Sequence, residues 1–295
     1  MMELLYSGGP QLSRIVAGAW RWKLETPDLE RLIHTALEAG ISSFDHADIY
    51  GDYSNEERFG KVLKGNSALR DKLQLITKCG IRLVSASRPE HTVKHYDTSK
   101  EHIIQSVENS LRNLSTDRID VLLIHRPDPL MNPEEVAGTF RLLKDQGKVL
   151  YFGVSNFTAA QFDLLQQFVP FPLVTNQVEV SLFKPLPLFN GTVDGLMKHR
   201  VAPMAWSPLG GGKYFTPSGQ AENVEFQLED LSVKYNCSVS QLLLAWLLCH
   251  PARLFPILGT TNVNRIKEGA GAVTVHLERH DWFGMLKIAT GKDVP

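Results

Sequence analysis

The feature that most limits what this chain can fold into is the regular exchange of short β-like runs with longer helical stretches. Arg14 to Gly18, Ile41 to Asp45, Leu73 to Lys78, Ile119 to Ile124, Val149 to Val154, Leu173 to Gln177, Val201 to Trp206 and Leu254 to Leu258 each read as a strand, and helical material follows each. Thr26-Pro27 opens the first helix, with Thr26 as N-cap, Pro27 in the first helical position and Leu29, Leu32, Ile33 and Ala36 on one face. Thr98-Ser99-Lys100-Glu101 forms a capping box ahead of Ile103, Val107 and Leu111, and Asn132-Pro133 starts a further helix. The nearly continuous apolar run from Ile119 to Ile124 suits a parallel strand covered on both faces. Eight βα units in 295 residues, with no Pro/Gly/Ser linker, predict one α/β domain over 1–295: a (β/α)8 TIM barrel. Two accessory helices, within 222–236 and 279–290, and an N-terminal hairpin or extension complete the expected fold. A doubly wound sheet shares the alternation, so the strand count decides between them, and no GxGxxG follows the first strand.

Composition narrows the function. With 31 Lys plus Arg against 32 Asp plus Glu, there is no basic surplus for nucleic acid or an anionic bilayer. The longest strongly apolar run, Leu242 to Cys249, is too short to span a membrane. Cys79, Cys237 and Cys249 are few and unevenly spaced, which suits a reducing compartment, and the start lacks an export pattern, so the expected location is cytoplasmic. Nothing in a closed barrel with polar outer helices demands a partner chain, and a monomer is expected.

In such a barrel the chemistry lies where strands end and βα loops begin. The second strand runs into Asp45-His46-Ala47-Asp48-Ile49-Tyr50, the third ends at Lys78, and the fourth leads to His125-Arg126. A phenol beside an ammonium has its phenolate stabilised, so Lys78 is expected to draw the Tyr50 pKa from about 10 toward neutrality. Asp45 keeps the ammonium charged and oriented, and His125 can hold a substrate oxygen near the Tyr50 hydroxyl. These four residues suit polarising and protonating a carbonyl oxygen.

Asp45-x4-Tyr50, Lys78 and His125, followed by Gly153-Val154-Ser155-Asn156-Phe157, resemble the aldo-keto reductase superfamily over nearly the whole chain. The resemblance implies NADPH bound across the barrel mouth and hydride delivery to an aldehyde or ketone while Tyr50 protonates its oxygen. It also implies that Ser155, Asn156 and Gln177 hold the nicotinamide carboxamide and that Trp206 stacks on the ring. Ser207, Leu209, Gly210, Gly211 and Lys213 would follow the pyrophosphate, and Gly259, Thr260, Thr261 and Arg265 the 2′-phosphate, beside the amides that open the last barrel helix. Many members have Lys where Gly259 stands and Asn where Gly269 stands; Glu268 is expected to replace part of the adenine contact, and NADH is the less favoured cofactor.

Each residue also has a plainer reading. Asp45 and Lys78 alone are consistent with a structural ion pair, and His125 alone with a satisfied core histidine. His46 and Asp48 hint at a metal, but no second His cluster accompanies them, so none is expected. Cys79, next to Lys78, should face the strand-helix layer. Trp20 is the expected substrate wall, and Arg126 either recognises an anionic substrate or pairs with Asp128. The long segment 79–97 is expected to form part of that wall or a lid. Two other classes fit the sequence less well: an NADPH-retaining sensory module without turnover, and a metal-dependent barrel hydrolase.

Overall fold

The computed structural model describes residues 1–215 and 221–294, with backbone alone for 213–215 and 221–225. Eight parallel strands close into a barrel: β1 (Val16–Gly18), β2 (Ser43–Asp45), β3 (Gln74–Cys79), β4 (Ile119–Ile124), β5 (Val149–Ser155), β6 (Asn176–Glu179), β7 (Met204–Trp206) and β8 (Phe255–Leu258). Neighbours pair in chain order, and β8 closes on β1 through Ile257 beside Val16 and Leu258 beside Ala17. The expected barrel is therefore present. Several strands are shorter than the sequence reading, and β6 lies further along the chain than the Leu173 to Gln177 expected.

Alternation along the strands sorts the side chains. In β3, Ile76 packs inside the barrel with Val16, Val121, Leu123, Met204 and Phe255. Leu75 and Cys79 face outward, Leu75 among Leu29, Leu32 and Phe59 and Cys79 among Ile103, Val107 and Phe140. Cys79 thus lies in the strand-helix layer, as its place beside Lys78 requires. Lys78, two residues beyond Ile76, takes the inward face one layer higher and is fully buried.

The opposite end of the barrel is plugged. Met2–Leu4 and Gln11–Ser13 pair as an antiparallel hairpin, the expected N-terminal extension, and Leu5 and Leu12 enter the interior cluster. Arg14 seals the edge by donating to the carbonyls of Arg253 and Leu254 and lying over the Phe255 ring. The accessory helices are Ala221–Lys234 and Arg279–Thr290. In the latter, Trp282 stacks on Trp246 at 4.6 Å between ring centroids.

Two helix starts differ from the sequence reading. The first helix spans Thr26–Glu38 with Glu25 at the cap position and no side-chain cap bond, so Thr26 is its first residue and Pro27 its second. In the helix Lys100–Asn113 the cap is Ser99, whose hydroxyl accepts from His102 N–H. Thr98 is not available for capping because its hydroxyl donates to Asp128 at 2.8 Å, tying the start of this helix to the loop after β4.

Candidate active site

The barrel mouth collects charge from three adjacent strands. Lys78 Nζ donates to Asp45 Oδ2 at 2.7 Å, to the His46 carbonyl at 2.7 Å and to Tyr50 Oη at 3.2 Å. An ammonium has three donors, so all are engaged. Tyr50 reaches this position because the chain turns sharply behind it: Gly51, Asp52 and Tyr53 all have left-handed backbone, with φ of 60°, 56° and 66°. His125 follows β4 directly and sets its ring edge-on to Tyr50, 6.0 Å between centroids.

One pairing in this cluster gave no signal in the sequence, which marks Gln177 only through the family resemblance. Gln177, at the second position of β6, donates its amide N–H to Asp45 Oδ1 at 2.8 Å. Both carboxylate oxygens of Asp45 are therefore taken, one by a cation and one by a neutral donor, and the side chain has no freedom to turn away from Lys78.

The electrostatics correct one expectation. Burial pushes the Tyr50 phenol above its ordinary value; Lys78 pulls it down, but the pull does not overcome desolvation, which Asp45 reinforces. Tyr50 is thus a protonated phenol at neutral pH rather than one near its titration point. Burial opposes the Lys78 ammonium too, yet Asp45 and Tyr50 outweigh it and hold Lys78 above the usual lysine value. Burial, with Lys78, Arg126 and Lys94, holds the His125 imidazole well below its ordinary value, so the ring is uncharged. Among the described residues its buried Nδ1 meets no hydrogen-bond partner.

A cavity of about 1150 Å³ runs from this cluster across the mouth. Of the residues expected to hold a cofactor, Ser155, Gln177, Trp206, Ser207, Leu209, Gly211, Gly259, Thr260, Arg265 and Glu268 line it, while Asn156, Gly210 and Thr261 do not. Asn156 donates to the Ser155 hydroxyl at 2.7 Å and accepts from the Trp206 indole N–H at 3.0 Å, tying the aromatic ring to the end of β5. Gly211 and Gly212 line the cavity with φ of 71° and 88°, a left-handed backbone that glycine adopts without strain. The side chain of Lys213 lies outside the described residues.

At the far end the anion site is narrower than expected. The helix Val263–Gly271 is capped by Asn262, whose side chain accepts from the amides of Asn264 and Arg265. Those two N–H groups are spent, while the Arg265 guanidinium and Thr260 line the cavity there. The Glu268 carboxylate accepts from the Ser238 hydroxyl. Gly269 has a packing reason: a Cβ there would come within 2.4 Å of Leu258 Cδ1.

Trp20 lines the cavity and is 59% exposed. The segment 79–97 joins the wall too: Ile81–Arg82 and His95–Tyr96 form a short antiparallel ladder, and Leu83, Lys94 and Tyr96 face the cavity. Behind it lies a second cavity of about 280 Å³ that contains Asp48, Glu56 and His102. Burial raises the carboxyls of Asp48 to about 8 and Glu56 to about 7, although Ser106 and Thr77 donate to them at 3.1 and 2.6 Å. His46, buried with both ring nitrogens unpartnered, is lowered to about 3 by burial and by Lys78. Among the described residues, neither His46 nor Asp48 belongs to a three-ligand group with metal spacing.

This barrel, with a lysine tying an aspartate to a tyrosine at its mouth, is the architecture of a carbonyl oxidoreductase, and the comparison with known families agrees. The chain belongs to the aldo/keto reductase family, whose pattern matches residues 14–288. It is 45% identical over 290 residues to the uncharacterized oxidoreductase YcsN of Bacillus subtilis and 45% identical over 292 residues to oxidoreductase YdhF of Escherichia coli. Both alignments cover 97% of each chain. The 6-dehydroglucose reductase of Agrobacterium fabrum is 42% identical over the full length of both proteins. Among solved structures, the thermostable aldo-keto reductase Tm1743 shares the fold with a TM-score of 0.83 at 24% identity, covering 98% of this chain and 99% of its own. No helix of the described residues is long and apolar enough to cross a membrane.

Proposed function

We propose that this protein is an NADPH-dependent reductase of aldehydes and ketones with Tyr50 as its general acid. One observation carries the reading: a buried ammonium, Lys78, bonded at once to Asp45 and to the Tyr50 hydroxyl, beside an uncharged His125 in the wall of a large cavity. The residues fit a nicotinamide cofactor, since the cavity joins a polar mouth, an aromatic ring, two left-handed glycines and the Arg265 cation. When bound, the cofactor supplies the hydride that reduces the carbonyl carbon. The His125 imidazole donates to the carbonyl oxygen and holds it against the Tyr50 hydroxyl. Tyr50 passes its proton to that oxygen as negative charge builds there, and Lys78 faces the phenolate left behind. Asp45 and Gln177 keep Lys78 in place through the cycle.

Ser155 and Gln177 are proposed to face the carboxamide and Trp206 the ring, with Gly211 along the pyrophosphate and Thr260 and Arg265 at the 2′-phosphate, so NADPH is favoured over NADH. The name of the Agrobacterium relative points to hydroxylated aldehydes as the first substrates to assay. Tyr50→Phe is expected to bind NADPH as the wild type does, measured by fluorescence quenching, and to lose at least a thousandfold in NADPH consumption, of the order that a missing proton donor costs. A Tyr50→Phe protein as active as the wild type on several aldehydes overturns the assignment.

A further inference from the structure

The mouth holds a cation, Arg126, whose place the preceding chemistry does not explain. Arg126 directly follows His125 and lines the same cavity as Tyr50. Its guanidinium lies over the Trp206 ring, 5.7 Å from the centroid, within the range of a cation–π contact. Its only hydrogen bond to a described residue is a long one, Nη1 to the carbonyl of His125 at 3.3 Å. A guanidinium carries five N–H donors in a rigid fork, so most of them meet no acceptor among the described residues.

The loop does not account for it. The expected pair with Asp128 is not formed, because Asp128 accepts from the Thr98 hydroxyl and from the backbone of Leu130. Among the described residues no carboxylate comes within 4.0 Å of Arg126, and Glu179 and Tyr96 act on it only through space. Burial lowers its pKa from the ordinary value, the mark of a charge partly stripped of water. Such a group is costly unless oxygen lone pairs replace the lost hydration, and the cavity is where they can come from.

We propose that Arg126 is the specificity-determining residue of this site: it holds an oxygen on the carbon next to the substrate carbonyl, so the preferred substrates are 2-oxygenated aldehydes and ketones. The inference rests on the reductase reading above. Arg126 lines the same cavity as His125 and Tyr50 and acts through space on both, the two residues proposed to hold the carbonyl oxygen, so the donor fork serves the neighbouring carbon rather than a distant part of the substrate. The oxygen is a hydroxyl or a carboxylate; both offer the lone pairs the fork needs, and a carboxylate can take two of its donors at once.

Three small aldehydes of similar size separate these cases: propanal, with no second oxygen; glycolaldehyde, with a hydroxyl; and glyoxylate, with a carboxylate. kcat/KM for each would be measured with NADPH for the wild type and for Arg126→Met, and NADPH affinity by fluorescence for both proteins. For Arg126→Met the expected loss is about tenfold or more on an oxygenated substrate, the size of a charge-assisted hydrogen bond, and less than about threefold on propanal. The loss should be carried mainly by KM, and Arg126→Lys should recover part of it. A larger loss on glyoxylate assigns the fork to a carboxylate; a larger loss on glycolaldehyde assigns it to a hydroxyl. Equal losses on all three, or none on any, overturn the proposal and leave the reductase reading standing. A wild-type protein that binds NADPH but oxidises it with none of the three, nor with longer aldehydes, overturns the reductase reading itself.

Discussion

Replacing Lys78 by methionine tests whether the ion pair at the mouth is a strained asset or an ordinary brace. Methionine fills much of the same volume, so packing is largely kept while the charge is deleted. What remains is an Asp45 carboxylate 4% exposed, with the Gln177 amide as its one side-chain donor. Breaking a buried pair from one side typically costs ~3–5 kcal/mol, because the surviving charge is neither hydrated nor compensated. Against a total stability of about 5–15 kcal/mol, that is a large share. Urea unfolding followed by circular dichroism at pH 7.5 should show a midpoint lowered accordingly. Two further arms separate this cause from lost packing. At pH 5 the deficit should shrink, since a buried lone carboxylate takes up a proton readily, and Asp45→Asn combined with Lys78→Met should recover most of the loss at pH 7.5. A Lys78→Met protein within ~1 kcal/mol of the wild type, or a double variant no more stable than the single one, would refute the reasoning.

Two further predictions concern positions behind the mouth. Asp48 and Glu56 have folded-state pKa values raised to about 8 and about 7, so their contribution to stability is complete below the unfolded carboxylate range and is lost as pH rises through 7 to 8. The thermal midpoint should therefore fall between pH 5 and pH 9, and Asp48→Asn should flatten that fall and exceed the wild type at pH 9 by on the order of 2 kcal/mol; parallel pH curves for the two proteins would contradict it. At position 269 a side chain must displace Leu258, so Gly269→Ala should cost ~1–3 kcal/mol, with Leu258→Val restoring part of it, and equal urea midpoints for Gly269→Ala and wild type would remove the steric account.

Much of this architecture is legible in the sequence because the relevant signals are local. The run from Ile119 to Ile124 identifies itself as a strand covered on both faces, and the position of Lys78 two residues after Ile76 places it inside the barrel once the strand is recognised. Asp45, Lys78 and His125 are found by asking only what stands where a strand ends. The failures come from contacts that join distant segments. Gln177 and Asp45 meet across the mouth from β6 and β2, and neither residue's neighbours announce the other. Thr98 looks like a cap in its local context, yet Asp128 claims its hydroxyl and moves the cap to Ser99. Asn262 is a local case: it caps its own helix and takes up two amides that the helix start alone would leave free.

The sign of the Tyr50 shift belongs to this second kind, and its cause is more than the burial of one phenol. A sequence puts an ammonium beside a phenol and suggests a lowered pKa; the fold adds the desolvation of both and the counter-charge of Asp45. Around the pair it also favours the uncharged form of four buried neighbours near pH 6. Burial lowers His46 to about 3 and takes His125 well below its usual value, while it raises Glu56 to about 7 and Asp48 to about 8. Lys78 is therefore not shared among several anions, and its field is spent on Asp45 and on the Tyr50 oxygen it touches. Once Tyr50 has given up its proton, that field acts on a full phenolate charge in a region of low polarity, where the attraction is larger than it is toward the neutral phenol. A proton donor of this kind needs no lowered resting pKa: the protonated form is held in reserve by burial, and the cation is concentrated where negative charge appears only as the proton leaves.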